Sequence, residues 1–162
     1  RLIEQIQYRL RRSYGMDRLN IHLLVLMIII LVLGLFVKNL GLMFQLKDDI
    51  LDFTSNSKEL GKETHKDFQN GIYTFPVIMA LKNLKAKEVL LPIMRKNKEE
   101  KLSLAEILQL QNYIIQFGGI EASYEKIKYL SNINRQLIKE LGQNSKITVY
   151  LEKILNDLEV EN

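Results

Sequence analysis

"GLMFQLKDDILDF", residues 41–53, places three carboxylates, Asp48, Asp49 and Asp52, among large apolar side chains. On a helix Asp48 and Asp52 are four apart and share a face, while Asp49 lies about 100° round from Asp48 and three before Asp52. Gln45 precedes Asp48 and Asp49 by three and four, so the four side chains form one stripe. A solvated face of an amphipathic helix is the plain reading of such a stripe. Carboxylates this close, however, raise one another's pKa unless a cation neutralises them. Hard divalent cations bound through oxygen do so, and Mg²⁺ is commonly held by one or two carboxylates together with substrate phosphates. The spacing therefore suits a Mg²⁺-diphosphate site, although DDxxD alone is a short pattern.

The chain has 162 residues, 47% of them hydrophobic, enough for one globular domain or a substantial piece of a larger one. It begins at Arg1, which reads as a processed, excised or incomplete chain. Zero cysteines exclude disulfides and thiolate metal sites and fit a reducing compartment, with the cytoplasm as the default. The net charge of +4 comes from 23 basic and 19 acidic residues. The basic residues are dispersed apart from Arg9, Arg11 and Arg12 and the stretch 95–101. With no basic stripe interleaved with aromatics, nucleic acid is not an expected partner.

Two prolines, Pro76 and Pro92, interrupt a chain that otherwise reads at helical spacing, so the expected class is all-α. Ser103 with Glu106 three residues on is a capping box, followed by Leu104, Ile107, Leu108, Ile114 and Ile115 and a stop at Gly118-Gly119. A further helix is expected from about Glu121 to Leu141, with Ala122, Ile127, Leu130, Ile133, Leu137 and Leu141 inward, and a last one from roughly Ser145 to Leu158. "RKNKEEK", residues 95–101, reads as a solvated connection between helices.

Residues 23–37 carry no polar side chain. Fifteen residues at helical rise span only about 22 Å, short of a hydrocarbon core of about 30 Å, so a buried core helix is the first expectation and a membrane anchor the second. Were residues 21–38 to insert, the arginines ahead of them would keep the N-terminal side in the cytoplasm.

Downstream of the carboxylates come Gly61-Lys62, Asp67, and "NGIYTFPVIMAL" with Gly71, Thr74 and Pro76. A lysine after a carboxylate helix offers a mobile point charge for a phosphate. The whole run resembles the second aspartate-rich motif of the polyprenyl (isoprenoid) diphosphate synthase family, GxxFQxxDDxxD, then a GK loop, then D before a GxxTxP helix start. Gly41, Phe44, Gln45, Asp48, Asp49, Asp52, Gly61, Lys62, Asp67, Gly71, Thr74 and Pro76 match in order. "GGIEASYEKIKYL", residues 118–130, is similar to the family's closing GGIExA helix start. The resemblance covers about residues 38–158.

The resemblance implies the C-terminal half of an isoprenoid-synthase-type helical bundle, with two aspartate-rich helices facing each other across a central cavity. It implies a Mg²⁺-dependent trans-prenyltransferase that condenses isopentenyl diphosphate with an allylic diphosphate by ionisation of the allylic partner. Metal ions and lysines placed around the leaving diphosphate stabilise the charge that develops there. By position, Asp48, Asp49 and Asp52 would hold Mg²⁺, Lys62 would contact diphosphate, Gln45 would face the reacting allyl group and Phe44 would help line the cavity. A homodimer, or a heterodimer with another synthase subunit, is implied as well.

The pattern also calls for a first aspartate-rich motif, and this chain holds no second DDxxD. Half a site makes the isolated chain a poor enzyme or none, and a non-catalytic partner subunit, a remnant or a membrane-anchored protein are the competing readings. Residues 1–37 match poorly: "RRSYGMDRLNIHLL" lacks the family's lysine-threonine pair, although "QYRLRR" before it and "VKNLGLMFQ" after it fit. A compensated reading-frame shift between about Ser13 and Phe36 is a hypothesis that accounts for such an island; it dies if no neighbouring frame of the coding DNA encodes a KT-containing segment. The expected division is therefore 1–37, an atypical apolar segment, and 38–162, the C-terminal part of a synthase domain. His22 and His65 have no paired spacing for a metal, and Lys47 and Lys66 read as solvated surface residues.

Overall fold

The apolar run and the carboxylates turn out to belong to one helix. The computed structural model describes residues 2–54, 68, 70–141 and 146–160, and among these the regular elements are all helical. After α1 (Leu2–Tyr14) the chain turns through Gly15, whose φ of 62° suits glycine, and enters α2 (Arg18–Thr54), 37 residues and about 55 Å long. Asp17 starts α2 by accepting the Asn20 N–H at 2.8 Å, and at the other end the Gln111 amide reaches the Phe53 carbonyl. Then come α3 (Phe75–Ala80), α4 (Leu84–Glu99), α5 (Leu104–Gln116), α6 (Gly119–Leu141) and α7 (Lys146–Glu159).

Two apolar clusters form the interior, and the C-terminal part of α2 passes through both. Met43, Leu46 and Ile50 of α2 meet Ile127, Leu130 and Ile138 of α6 and Leu155 and Leu158 of α7. Phe53, one turn further, joins Phe68, Val77, Ala80, Leu90, Leu110 and Ile114 in the second. Each large side chain fully withdrawn from water contributes about 1.5–3 kcal/mol, which is why α2 is pinned between α6 and α3 at its C-terminal end. Buried Asn134 adds a polar tie, accepting from Asn39 Nδ2 at 3.0 Å and donating to the Phe36 carbonyl at 3.2 Å. Arg135 holds α7 to α6 through Glu152, Glu159 and Asn156, and that guanidinium keeps the Glu159 carboxyl below its ordinary pKa.

The N-terminal half of α2 departs from a buried core helix. Ile21, Val25 and Phe36 are buried, but Leu23, Leu26, Met27, Ile30, Leu31, Leu33, Leu35 and Val37 are exposed. The length objection to a membrane helix also lapses, because α2 continues well beyond the unbroken apolar run. Among the described residues it is long and apolar enough to cross a membrane by length and composition.

The capping box at Ser103 is present as expected, but "RKNKEEK" is not a connection: residues 95–99 form the end of α4, which continues through Pro92. Leu104, Leu108 and Ile115 of α5 face outward, and Leu110 takes the inward place. Lys96 of the supposed connection reaches Glu106 at 2.6 Å, closing α4 on α5. That ammonium, aided by the Ser103 hydroxyl and amide, lowers the Glu106 pKa from 4.5 to about 2. A carboxyl held down in the folded state stabilises above its ordinary pKa, and the contribution fades as pH falls from about 4.5 to about 2. Glu106→Gln, which keeps the capping box but not the charge, is expected to lower Tm at neutral pH. The deficit should close as pH drops through that window, read by thermal unfolding in a pH series.

Candidate functional site

Helical geometry gives the three aspartates different surroundings. Asp48 is exposed, Asp52 is half-buried, and Asp49 is turned into the fold and only 7% exposed. Gln45, one turn before, donates from Nε2 to Asp49 Oδ1 at 2.9 Å, and the Phe75 N–H at the start of α3 reaches Asp49 Oδ2 at 3.3 Å. Phe44 stands 54% exposed, about 40° round the helix from Asp48. No group of three or more His, Cys, Asp or Glu able to hold a metal occurs among the described residues. Gly61, Lys62, His65, Lys66 and Asp67 lie outside them.

Lys47 is not a solvated lysine. It is 9% exposed, its Nζ sits 5.4 Å from the Tyr124 ring centroid, and it donates to the Val160 carbonyl at the end of α7. A cation over an aromatic face, with a carbonyl acceptor, offsets the cost of withdrawing the ammonium from water. The signal was in the spacing: Lys47 falls between Met43 and Ile50 on the apolar stripe, so its stem had to point inward.

Three stretches far apart in the chain meet beside the carboxylates. Gly71, with φ 77°, turns the chain into Tyr73-Thr74-Phe75-Pro76, and Asp49 accepts the first N–H of the helix that follows. Pro76 in turn lies against Gly119, the first residue of α6, so closely that a Cβ built there would be 2.3 Å from the Pro76 carbonyl oxygen. Gly118, at φ 75°, supplies the left-handed turn ahead of it, and Ser123 Oγ donates to the Gly119 carbonyl at 2.8 Å. The TFP and GG stretches are thus packing devices that brace the carboxylate helix.

Asp48, exposed on α2, presents oxygen donors suited to a hard cation such as Mg²⁺, and Asp52, about 40° round the helix, is half-buried with its Oδ2 withdrawn from solvent. Two carboxylates are within the number Mg²⁺ takes from protein when phosphates complete its shell, so these residues fit the ion; Asp49, engaged on both oxygens, does not present itself alike.

Residues 30–111 match the family model for polyprenyl synthetase. A prenyl transferase of Cyanidium caldarium is 44% identical over 117 residues, 69% of this chain and 34% of that protein. The large subunit 1 of a chloroplastic heterodimeric geranylgeranyl pyrophosphate synthase of Arabidopsis thaliana is 40% identical over 84 residues, 49% of this chain and 22% of its own length. The crystal structure of geranylgeranyl pyrophosphate synthase from Bacteroides thetaiotaomicron superposes with a TM-score of 0.64 at 29% identity, covering 77% of this chain and 40% of that one. The chain therefore spans about a third or less of the curated relatives named here. With the family match running over half of its length and taking in the whole carboxylate stripe, the chain belongs to the polyprenyl synthetase family.

Proposed function

We propose that residues 38–162 are the C-terminal part of a trans-prenyltransferase that joins isopentenyl diphosphate to an allylic diphosphate, with residues 1–37 a distinct apolar segment ahead of it. The observation that carries this reading is exposed Asp48, with half-buried Asp52 one turn on, beside exposed Phe44, on a helix braced by α3 and α6. Asp48 and Asp52 would hold Mg²⁺, which supplies positive charge to the departing diphosphate. Phe44 offers an apolar wall for a prenyl tail, Gln45 orients a carboxylate of the stripe, and Lys62 is assigned to the diphosphate as a point charge. The opposing carboxylates come from elsewhere, from a partner subunit or from further sequence, in a homodimer or a heterodimer with another synthase subunit.

The test is a calorimetric titration of the folded chain with a non-hydrolysable allylic diphosphate analogue, with and without Mg²⁺. Binding that needs Mg²⁺ is the expected result. Its absence in a helical chain would leave a non-catalytic partner or remnant as the function.

Exposed Leu23, Leu26, Met27, Ile30, Leu33 and Val37, with Arg9, Arg11, Arg12 and Arg18 nearby in sequence, support a second element of the reading. This half of α2 contacts a lipid surface, and the protein works at a cytoplasmic membrane face, where a long prenyl product would partition. Flotation with anionic vesicles should carry the chain upward. A Leu26→Asp, Ile30→Asp double variant should stay behind, and a wild-type chain that never floats would overturn the membrane contact.

A further inference from the structure

We propose that Asp49 is not a metal ligand but a positioning residue, the N-cap of α3 supplied from another helix. It ties α3 to the helix that bears Asp48 and Asp52. The proposal rests on the assignment of those two residues to Mg²⁺, and the argument for Asp49 itself begins at the start of α3.

A helix opens with main-chain N–H groups that need acceptors. Thr74 holds the N-cap position of α3, with φ −77° and ψ 171°, yet its side chain makes no cap hydrogen bond, and its buried Oγ1 has no partner. Pro76 has no N–H to satisfy, so Phe75 and Val77 carry the need for an acceptor in the first turn. Asp49 meets it from 26 residues away in sequence, accepting at 3.3 Å. A carboxylate is the favoured group at a helix N-terminus, where first-turn N–H groups and the peptide dipoles attract negative charge.

Burial points the same way. A carboxylate 7% exposed must be hydrogen-bonded to be tolerated, and Asp49 is bonded on both oxygens, by Gln45 at 2.9 Å and by Phe75. A cation at Asp49 would have to displace one of these donors. Asp48 faces solvent, about 100° round the helix from Asp49, so a metal can be held there without disturbing the cap. Asp49 then fixes α3, whose Pro76 carbonyl abuts Gly119, and so sets where α6 stands against the metal-bearing face. The doubled aspartate divides into one residue that looks out and one that holds the scaffold.

The experiment compares Asp49→Ala, Asp49→Asn and Asp48→Asn with the wild-type chain, first in EDTA and then with Mg²⁺ and the diphosphate analogue. If Asp49 is a cap, metal-free Asp49→Ala lowers Tm by about 3–8 °C, the effect of losing one cap in a domain of this size. Asp49→Asn, whose side-chain oxygen can still accept from Phe75, recovers most of that loss. Asp48→Asn leaves Tm unchanged or raises it, because it removes charge from a crowded stripe. In the binding arm Asp49→Asn stays within about threefold of wild type while Asp48→Asn loses more than about tenfold. Metal-free Asp49→Ala as stable as wild type, or more so, would overturn the proposal. So would a folded Asp49→Asn that loses the Mg²⁺ response as Asp48→Asn does. Should the wild-type chain bind no diphosphate at all, the functional reading fails, and the sign of the metal-free Tm shift still decides the role of Asp49.

Discussion

Gly119→Ala is expected to cost about 3 kcal/mol of stability, a large share of the roughly 5–15 kcal/mol that holds a domain folded. The added Cβ would stand 2.3 Å from the Pro76 carbonyl oxygen, 2.9 Å from Ile114 Cγ2 and 3.0 Å from the Ile114 carbonyl oxygen. Two of those three atoms are main chain, so no rotamer change clears the way. Relief requires α3 to move off α6, and α3 is only six residues long with its first N–H committed to Asp49. Moving it would break that bond and disturb Val77 and Ala80 in the second apolar cluster. Gly41→Ala is the control: a Cβ at Gly41 meets nothing within 4 Å, and alanine is the better helix former by about 1 kcal/mol, so this variant should match or exceed wild type. Urea denaturation followed by circular dichroism measures both. A loss under about 1 kcal/mol for Gly119→Ala would mean that α3 does not press on α6 as closely as described.

The features legible in the sequence are those whose cause is local. The Ser103–Glu106 capping box needs only a spacing of three, and it stands where expected. The last two helices follow from the 3.6-residue recurrence of Ile127, Leu130 and Ile133 and from Leu155 and Leu158, and their ends fall within two residues of expectation. What was hidden depends on a neighbour that sequence spacing does not name. "RKNKEEK" looks like linker because five of its seven side chains are Lys, Arg or Glu, yet it closes α4, and Lys96 finds Glu106 across the next turn of chain. A doubled glycine suggests a helix stop, which accounts for Gly118 by its positive φ; only the approach of Pro76 reveals why position 119 admits no side chain. In the same way, DDILD shows three equivalent carboxylates until Phe75 arrives to claim one. The apolar run 23–37 is the opposite case: composition alone calls for burial, but burial needs a surface to pack on, and most of this face has none among the described residues.

The two carboxylates not committed to Phe75 set the second large effect. Asp48→Ala and Asp52→Ala are each expected to abolish Mg²⁺-dependent binding of the diphosphate analogue, a loss of more than about a hundredfold, while helicity stays near wild type. Loss of either residue should match loss of both, because two carboxylates that ligate one cation act as a unit rather than as independent sites. Packing is spared at exposed Asp48 because the apolar partners of this part of α2, Met43, Leu46, Ile50 and Phe53, lie on the buried side of the helix, whereas half-buried Asp52 adds a modest loss of stability. The Mg²⁺-free arm matters in a chain of net charge +4, since lysines alone can attract a diphosphate. Such binding would survive in both variants, weaken with salt and ignore the metal. If instead either variant unfolds, and the wild type takes up no analogue with Mg²⁺ present, then Asp48 and Asp52 serve the fold. The likeness of this stripe to a metal site would then lie in its spacing and not in its chemistry.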